Sequence, residues 1–202
     1  ISVTCAARYT VHAHIAAGAG GSNFLVSSGS LAGQRIIVQG NGANGYSVYN
    51  PATDTWGTAI STTSAAPSRH GHSAIWTGTE MIIWGGVRFG ALEDGGWRYN
   101  PTGNSWMAAT NAGPPAGRLV HTAVWTGNEM IVWGGLNVGG AFPGYVATNY
   151  ADGFRYSPTT DTWLPLSTNG ASTARHSHAA VWTGSEMIVW GGANVVFNSG
   201  FS

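Results

Sequence analysis

The sequence predicts an all-β protein, a β-propeller of four-stranded blades, with about three and a half blades in this chain. Three observations predict it. An 18-residue block recurs as RHGHSAIWTGTEMIIWGG at 69–86, RLVHTAVWTGNEMIVWGG at 118–135 and RHSHAAVWTGSEMIVWGG at 175–192. An eight-residue block recurs as YNPATDTW at 49–56, YNPTGNSW at 99–106 and YSPTTDTW at 156–163. No stretch holds a helical apolar period over about 11 residues. Short, evenly spaced strands with glycine and aromatic markers in each unit are the signature of a propeller.

Each unit reads as four short strands. Strand a is Ser73–Trp76, and Thr77-Gly78-Thr79 turns it into strand b, Met81–Trp84, with glycine supplying a positive φ. Gly85-Gly86 end strand b, and a variable loop leads to strand c at Trp97–Tyr99. Asn100-Pro101-Thr102-Gly103 then turns into strand d at Trp106, because proline sets φ and asparagine bonds its own backbone. Arg69 and Arg118 are 49 residues apart, Arg118 and Arg175 are 57. The gap from the double glycine to the next Tyr carries the difference, 13 residues for Gly86–Tyr99 and 21 for Gly135–Tyr156. One connection absorbs insertions while the rest of the unit is rigid.

Composition narrows the function classes. Only 8% of residues are charged, against about 25% in ordinary soluble domains. All eight basic residues are arginine, and eight acids balance them. A neutral, lysine-free chain lacks the basic patch that nucleic acid demands, so no nucleic-acid partner is expected. No apolar run approaches the ~20 residues of a membrane span. Cys5 is the only cysteine, which excludes an internal disulfide framework and a cysteine zinc site.

A double glycine, a following Tyr and a Trp seven residues after it, at a period near 50, resemble the kelch repeat. The matching residues are Gly85, Gly86, Tyr99 and Trp106, then Gly134, Gly135, Tyr156 and Trp163. The resemblance covers residues 22–202, divided into units 22–66, 67–115, 116–172 and an incomplete 173–202. The first unit is degraded: Asn23–Ser27 stands for strand a, Gln34–Gln39 for strand b, and Gly40-Asn41-Gly42 for the double glycine. Rings of about six or seven blades are what the resemblance implies. The remainder is expected from a longer chain, with a second copy or the N-terminal strand segment 1–21 as the alternatives. Within that segment Tyr9–Ile15 alternates apolar and polar as a strand does.

Repetition separates frame from function. Nine of the ten Trp occupy repeat positions and are expected to pack blade on blade. Trp97 breaks the register beside a variable loop. Arg69, Arg118 and Arg175 recur with His72, His121 and His178 three residues later, and the expected role is to tie one blade's loop to the next blade's backbone. Equivalent positions diverge around a ring, so no metal site is expected there. His70 and His176 have no counterpart in the middle copy, where Leu119 stands. Glu80, Glu129 and Glu186 in the a–b turns are expected to accept backbone hydrogen bonds, and Asp54, Asn104 and Asp161 to shape the c–d turns.

In a meander the a–b and c–d turns share one face, and the b–c and d–a connections share the other. Five of the eight acids fall on the first face and six of the eight Arg toward the second (Arg69, Arg88, Arg98, Arg118, Arg155 and Arg175), giving an expected electrostatic axis. The second face also holds the length variation, and rigid scaffolds carry function on variable loops. The candidate binding residues are therefore Arg88, Glu93, Asp94 and Trp97 around one loop. Asn137, Tyr145, Tyr150 and Asp152 belong to the second, with Arg69, His70, Arg175 and His176 beside them.

The expected function is a non-catalytic binding or scaffold module that recognises protein or carbohydrate through this face. The alternative is a structural subunit of an extracellular assembly, with β-strand addition between subunits. Some kelch-like propellers are copper oxidases with a cross-linked Cys–Tyr pair, or sugar-ring isomerases. Cys5 lies outside the repeat, so no copper site carries over, and no nucleophile elbow or metal spacing stands out. His70, His176 and Arg175 keep mutarotase-like acid–base chemistry as the third reading. No cofactor and no catalytic residue are expected. The resemblance is to bacterial secreted or cell-surface proteins, which sets the expected location.

Overall fold

The computed structural model describes residues 53–56, 66–110, 113–139 and 146–194, together with the strand backbones at 24–25, 35–38 and 46–50. The segment 1–21, with Cys5 and the alternating stretch at 9–15, lies outside the described residues, as does Tyr145. All regular structure among the described residues is β.

The strands fall into successive meanders. The first joins β1 (Phe24–Leu25), β2 (Arg35–Val38), β3 (Tyr46–Asn50) and β4 (Thr55–Trp56), with strands a and b inside the expected ranges but shorter. The second contains β5 (Ser73–Trp76) and β6 (Met81–Trp84). A small hairpin of β7 (Val87–Arg88) and β8 (Ala91–Leu92) follows, and then β9 (Gly96–Asn100) and β10 (Ser105–Ala108) complete the sheet. The third repeats this plan. Its sheet holds β11 (Thr122–Trp125) and β12 (Met130–Trp133), then, after the hairpin β13 (Leu136–Gly139) and β14 (Val146–Asn149), β15 (Gly153–Ser157) and β16 (Thr162–Pro165). The last pair is β17 (Ala179–Trp182) with β18 (Met187–Trp190). All pairings are antiparallel, and equivalent strands keep one register: Ser73 faces Trp84, Thr122 faces Trp133, and Ala179 faces Trp190.

Local chemistry explains the turns. In each a–b turn a threonine hydroxyl caps the chain: Glu80 N–H donates to Thr77 Oγ1 at 3.0 Å, and Glu129 N–H to Thr126 Oγ1 at 3.0 Å. In each c–d turn Asp54, Asn104 and Asp161 take the left-handed conformation, with φ of 52°, 44° and 53°, which these short polar side chains tolerate. Tyr99 Oη then donates to Asn104 Oδ1 at 2.7 Å, and Tyr156 Oη to Asp161 Oδ1 at 2.5 Å. Burial and the Asp161 carboxylate raise the Tyr156 phenol well above its ordinary value, so it stays a donor.

The core sits between sheets. One cluster joins Ile75, Ile82, Trp84 and Ala109 of the second sheet to Met130, Val132, Tyr156 and Trp163 of the third. Trp84 and Trp163 stand with ring centroids 5.2 Å apart. Each such buried side chain contributes about 2 kcal/mol by removal from water. The same face of the last pair is open among the described residues: Trp190 is 78% exposed where Trp84 is 0%.

Backbone joints complete the frame. Gly86 N–H donates to Arg118 O, and Gly135 N–H to Arg175 O, each at 2.8 Å. The double glycine is required here. Gly86 has φ of 89°, and a Cβ on it would lie 2.6 Å from His70 O. A second joint runs from Val120 N–H to Gly71 O and from Ser177 N–H to Val120 O, both 3.0 Å. It holds Val120 at φ of 49°, a costly conformation for a β-branched residue that the surrounding hydrogen bonds enforce.

Candidate functional site

The two variable connections are ribbons standing on the frame. Each is anchored at its base to the entry of strand a: His70 bridges Val87, and Leu119 bridges Leu136. The entry bridge recurs as His176 with Ala193. In the smaller ribbon Val87 faces Leu92 and Arg88 faces Ala91, so Phe89-Gly90 is a two-residue turn. Both turn residues have positive φ, 48° and 81°, the arrangement that ordinarily selects Asn-Gly. A phenylalanine there costs about 1–2 kcal/mol. The ring recovers nothing by burial, because Phe89 is 95% exposed. The Arg88 guanidinium lies 5.1 Å from its centroid. In the larger ribbon Val138 and Val146 are exposed.

The arginines at the strand-a entries belong to the frame. Arg118 is 0% exposed. Its Nη1 donates to Gly134 O at 3.0 Å and to Asp152 Oδ1 at 2.6 Å, its Nε donates to Ala116 O at 3.2 Å, and its guanidinium stands 4.0 Å from the Tyr150 ring centroid. Arg69 is likewise buried, donating to Gly85 O at 3.1 Å and Gly95 O at 2.9 Å, with Glu93 3.6 Å away. Arg175 repeats the contact to Gly191 O at 2.9 Å. The sequence places these side chains between blades. The structure corrects this: they lock each blade's own b–c connection, and only their carbonyls reach the preceding blade.

Two of the histidines make side-chain hydrogen bonds across blades. His121 Nε2 shares a hydrogen bond with Ser73 Oγ at 2.8 Å, and His178 Nε2 with Thr122 Oγ1 at 2.7 Å. Burial first, then the neighbouring Arg69 or Arg118, pushes His72 down to about 4 and His121 down to about 3. Burial and then Arg175 push His178 down to about 4. All three are neutral at pH 7.

The electrostatic axis also needs correction. Arg98 reaches back to the turn face, where Nη2 donates to Glu80 Oε1 at 2.7 Å and Nη1 to Pro158 O at 2.9 Å. Arg155 lies 3.8 Å from Glu129. The Glu80 and Glu129 carboxylates therefore face arginines, while threonine hydroxyls serve the turn backbone. On the ribbon face, the Arg88 guanidinium has neither hydrogen bond nor ion pair among the described residues.

Of the other candidates, His70 and Asp94 are exposed, and Asp94 O accepts from Trp84 Nε1 at 2.9 Å. Trp97 packs against the cluster of Trp76, Met81, Ile83 and Trp106. Asn137 lies in β13, half-buried. His176 Nδ1 meets Asn149 Oδ1 at 2.5 Å, and Asn149 Nδ2 donates to Asn194 Oδ1 at 3.0 Å, so His176 joins the larger ribbon to the last blade. A cleft of about 380 Å3 lies on the opposite face, lined by Glu80, Arg98, Trp125 and Asn128. Among the described residues no three His, Cys, Asp or Glu side chains gather as a metal site would require, and no helix is long and apolar enough to cross a membrane.

A family model described as the KLHDC2/KLHL20/DRC7 Kelch-repeats domain matches residues 13–200. The chain belongs to the kelch-repeat family. Among 129 matching chains of solved structures, one titled "Structure of YjhT" superposes with a TM-score of 0.65 at 15% identity. The match covers 84% of this chain and 56% of that one, so this chain spans about half of its length, and the likeness is one of fold. No curated protein matches.

The kelch markers coincide with the frame: the double glycines form the joints, and Tyr156 and Trp163 fill the core between sheets. The sequence places Phe89 in the loop 87–96 of the candidate face; what it missed is the ribbon form of both loops and the two-residue turn that sets this ring at an exposed tip. The signal was present in Arg88-Phe89-Gly90-Ala91, an X-Gly turn between alternating residues, but phenylalanine is not a residue that announces a turn.

Proposed function

We propose that this kelch domain binds another protein through the face that carries its two ribbons and the strand-a entries, without catalysis. The observation that supports this most is the placement of Phe89, Val138 and Val146, exposed apolar side chains on ribbons rooted in a hydrogen-bonded frame. Interface cores draw on aromatics and arginine in this way. The low charge and the lack of lysine suit the secreted or cell-surface location that we propose with it.

The experiment replaces residues 88–91 and 137–148 by tight Asn-Gly hairpins. Parent and variant are then compared by co-purification from the source organism and on a glycan array. Loss of a protein partner with an unchanged unfolding transition supports the reading. A partner retained by the variant overturns it, and a glycan bound only by the parent assigns the face to carbohydrate instead. A concentration-dependent increase in size that the variant loses would favour the structural-subunit alternative.

A further inference from the structure

We propose that the tip Arg88-Phe89-Gly90 is the anchor of that interface, and that it inserts into an apolar, carboxylate-rimmed cup on a heterologous protein. The inference rests on the binding reading above and deepens it. Three observations meet at one place. Phe89 is 95% exposed, although a phenyl ring gains from burial. It occupies the first position of a two-residue turn at φ of 48°, where asparagine would relieve the strain at no loss of packing. The Arg88 guanidinium, beside it, has neither hydrogen bond nor ion pair among the described residues, and it lies 5.1 Å from the Phe89 ring.

The partner's chemistry follows. A planar aromatic on a narrow two-residue tip fits a cup rather than a flat surface. The positive charge at its base calls for carboxylates on the rim. The cation–π contact pre-orients the ring, which lowers the ordering cost of insertion. An anionic membrane surface is the less suitable occupant. Membrane attachment of this kind needs several apolar side chains and several cations, whereas this tip has one of each, with exposed Asp94 close in sequence.

The test has two stages. p-Benzoylphenylalanine is placed at position 89 of the full chain, irradiated in cells of the source organism, and the adduct is mapped by mass spectrometry. The expected adduct lies in a different protein, on a segment of apolar residues flanked by Asp or Glu. An adduct on another copy of this chain, on lipid, or no adduct at all overturns the proposal. The cross-linked protein is then purified and its affinity measured against Phe89→Asn, Arg88→Glu and Arg88→Lys. Phe89→Asn should unfold at the same or a higher temperature and yet bind at least tenfold more weakly. Arg88→Glu should also lose at least tenfold, and Arg88→Lys less than about threefold. Full affinity in Phe89→Asn overturns the anchor. If that variant binds fully while exchange of both ribbons abolishes binding, the anchor fails and the binding face stands. If both bind fully, the two readings fail together.

Discussion

Lowering the pH should loosen this protein at its blade joints. His72, His121 and His178 are buried, and their folded values lie near 4, 3 and 4, against about 6.5 in an unfolded chain. Because the folded values are depressed, the unfolded chain takes up protons first as pH falls. Stability is complete above about pH 6.5, declines below it, and goes on declining until the folded values are reached. The geometry supplies the cause. Nδ1 of His178 is buried with no hydrogen-bond partner among the described residues, so an added proton there finds no acceptor, and at His121 burial outweighs the one favourable contact, with the Arg118 backbone. The facing charges are Arg69 and His70 at His72, Arg118 with the other two histidines at His121, and Arg175 and His176 at His178, all disfavouring protonation.

At pH 5 each histidine with a folded value at or below about 4 costs roughly 2 kcal/mol relative to pH 7.5, since one pKa unit is about 1.4 kcal/mol. His72 and His121 together then remove about 4 kcal/mol, a large part of the 5–15 kcal/mol typical of a domain. Urea unfolding followed by tryptophan fluorescence at the two pH values measures this, as a lower midpoint with an unchanged slope. His121→Asn should be less stable at pH 7.5 but lose about 2 kcal/mol less than the parent on going to pH 5. Equal midpoints at both pH values would refute the reasoning, as would an undiminished pH response in His121→Asn.

Five further substitutions, two of them controls, probe the frame by thermal unfolding. Gly86→Ala should cost about 3 kcal/mol or more, because its Cβ would press within 2.6 Å of His70 O, whereas Gly78→Ala, at φ of 107° but with open space around it, should cost about 1 kcal/mol. Equal losses would disprove the close-approach argument. Arg118→Met should lose about 2–3 kcal/mol, chiefly by leaving the buried Gly134 O without its donor, since water can solvate the 38% exposed Asp152, while Arg155→Ala, whose pair with Glu129 spans 3.8 Å, should stay within about 1 kcal/mol. Ser73→Ala should cost about 1–2 kcal/mol by leaving His121 Nε2 without its 2.8 Å partner, and an unchanged midpoint would count against that bond as a joint.

The strand pattern was legible because its signals are local. Alternation, Gly-Gly stops and Asn-Pro turns depend on neighbours within a few residues, and the strands at 73–76 and 81–84 fall where the sequence puts them. The direction of long side chains was not legible. Arg98 lies just after a loop in sequence, yet in an extended strand its guanidinium can reach either end of the blade, and Glu80 on the neighbouring turn decides which. Arg69 reads as a candidate for the binding face because arginine is usually exposed. Its burial, like that of Arg118, follows from the carbonyls of Gly85, Gly95 and Gly134, which the double-glycine turns aim inward. The ribbons escaped notice because four-residue stems such as 87–88 with 91–92 are too short to show a period.

Repetition also states where function should be sought, by subtraction. The repeated Arg, His, Tyr and Gly-Gly positions are spent on the joints and cores just described, so none is free to select a partner. Two of the differences between the copies bear on this. Ser73, Thr122 and Ala179 occupy one register position, and the first two carry the hydroxyl that a following blade's histidine uses. The third does not, so a unit seated beyond β17 must be held there by other contacts than the Ser/Thr–His pair. The second difference touches no joint. Arg88 and Phe89 have no repeated counterpart, pair with nothing in the frame, and sit in a strained turn whose ring is fully presented to solvent. A feature that costs folding free energy and returns none to the frame is explained by what it meets outside the chain.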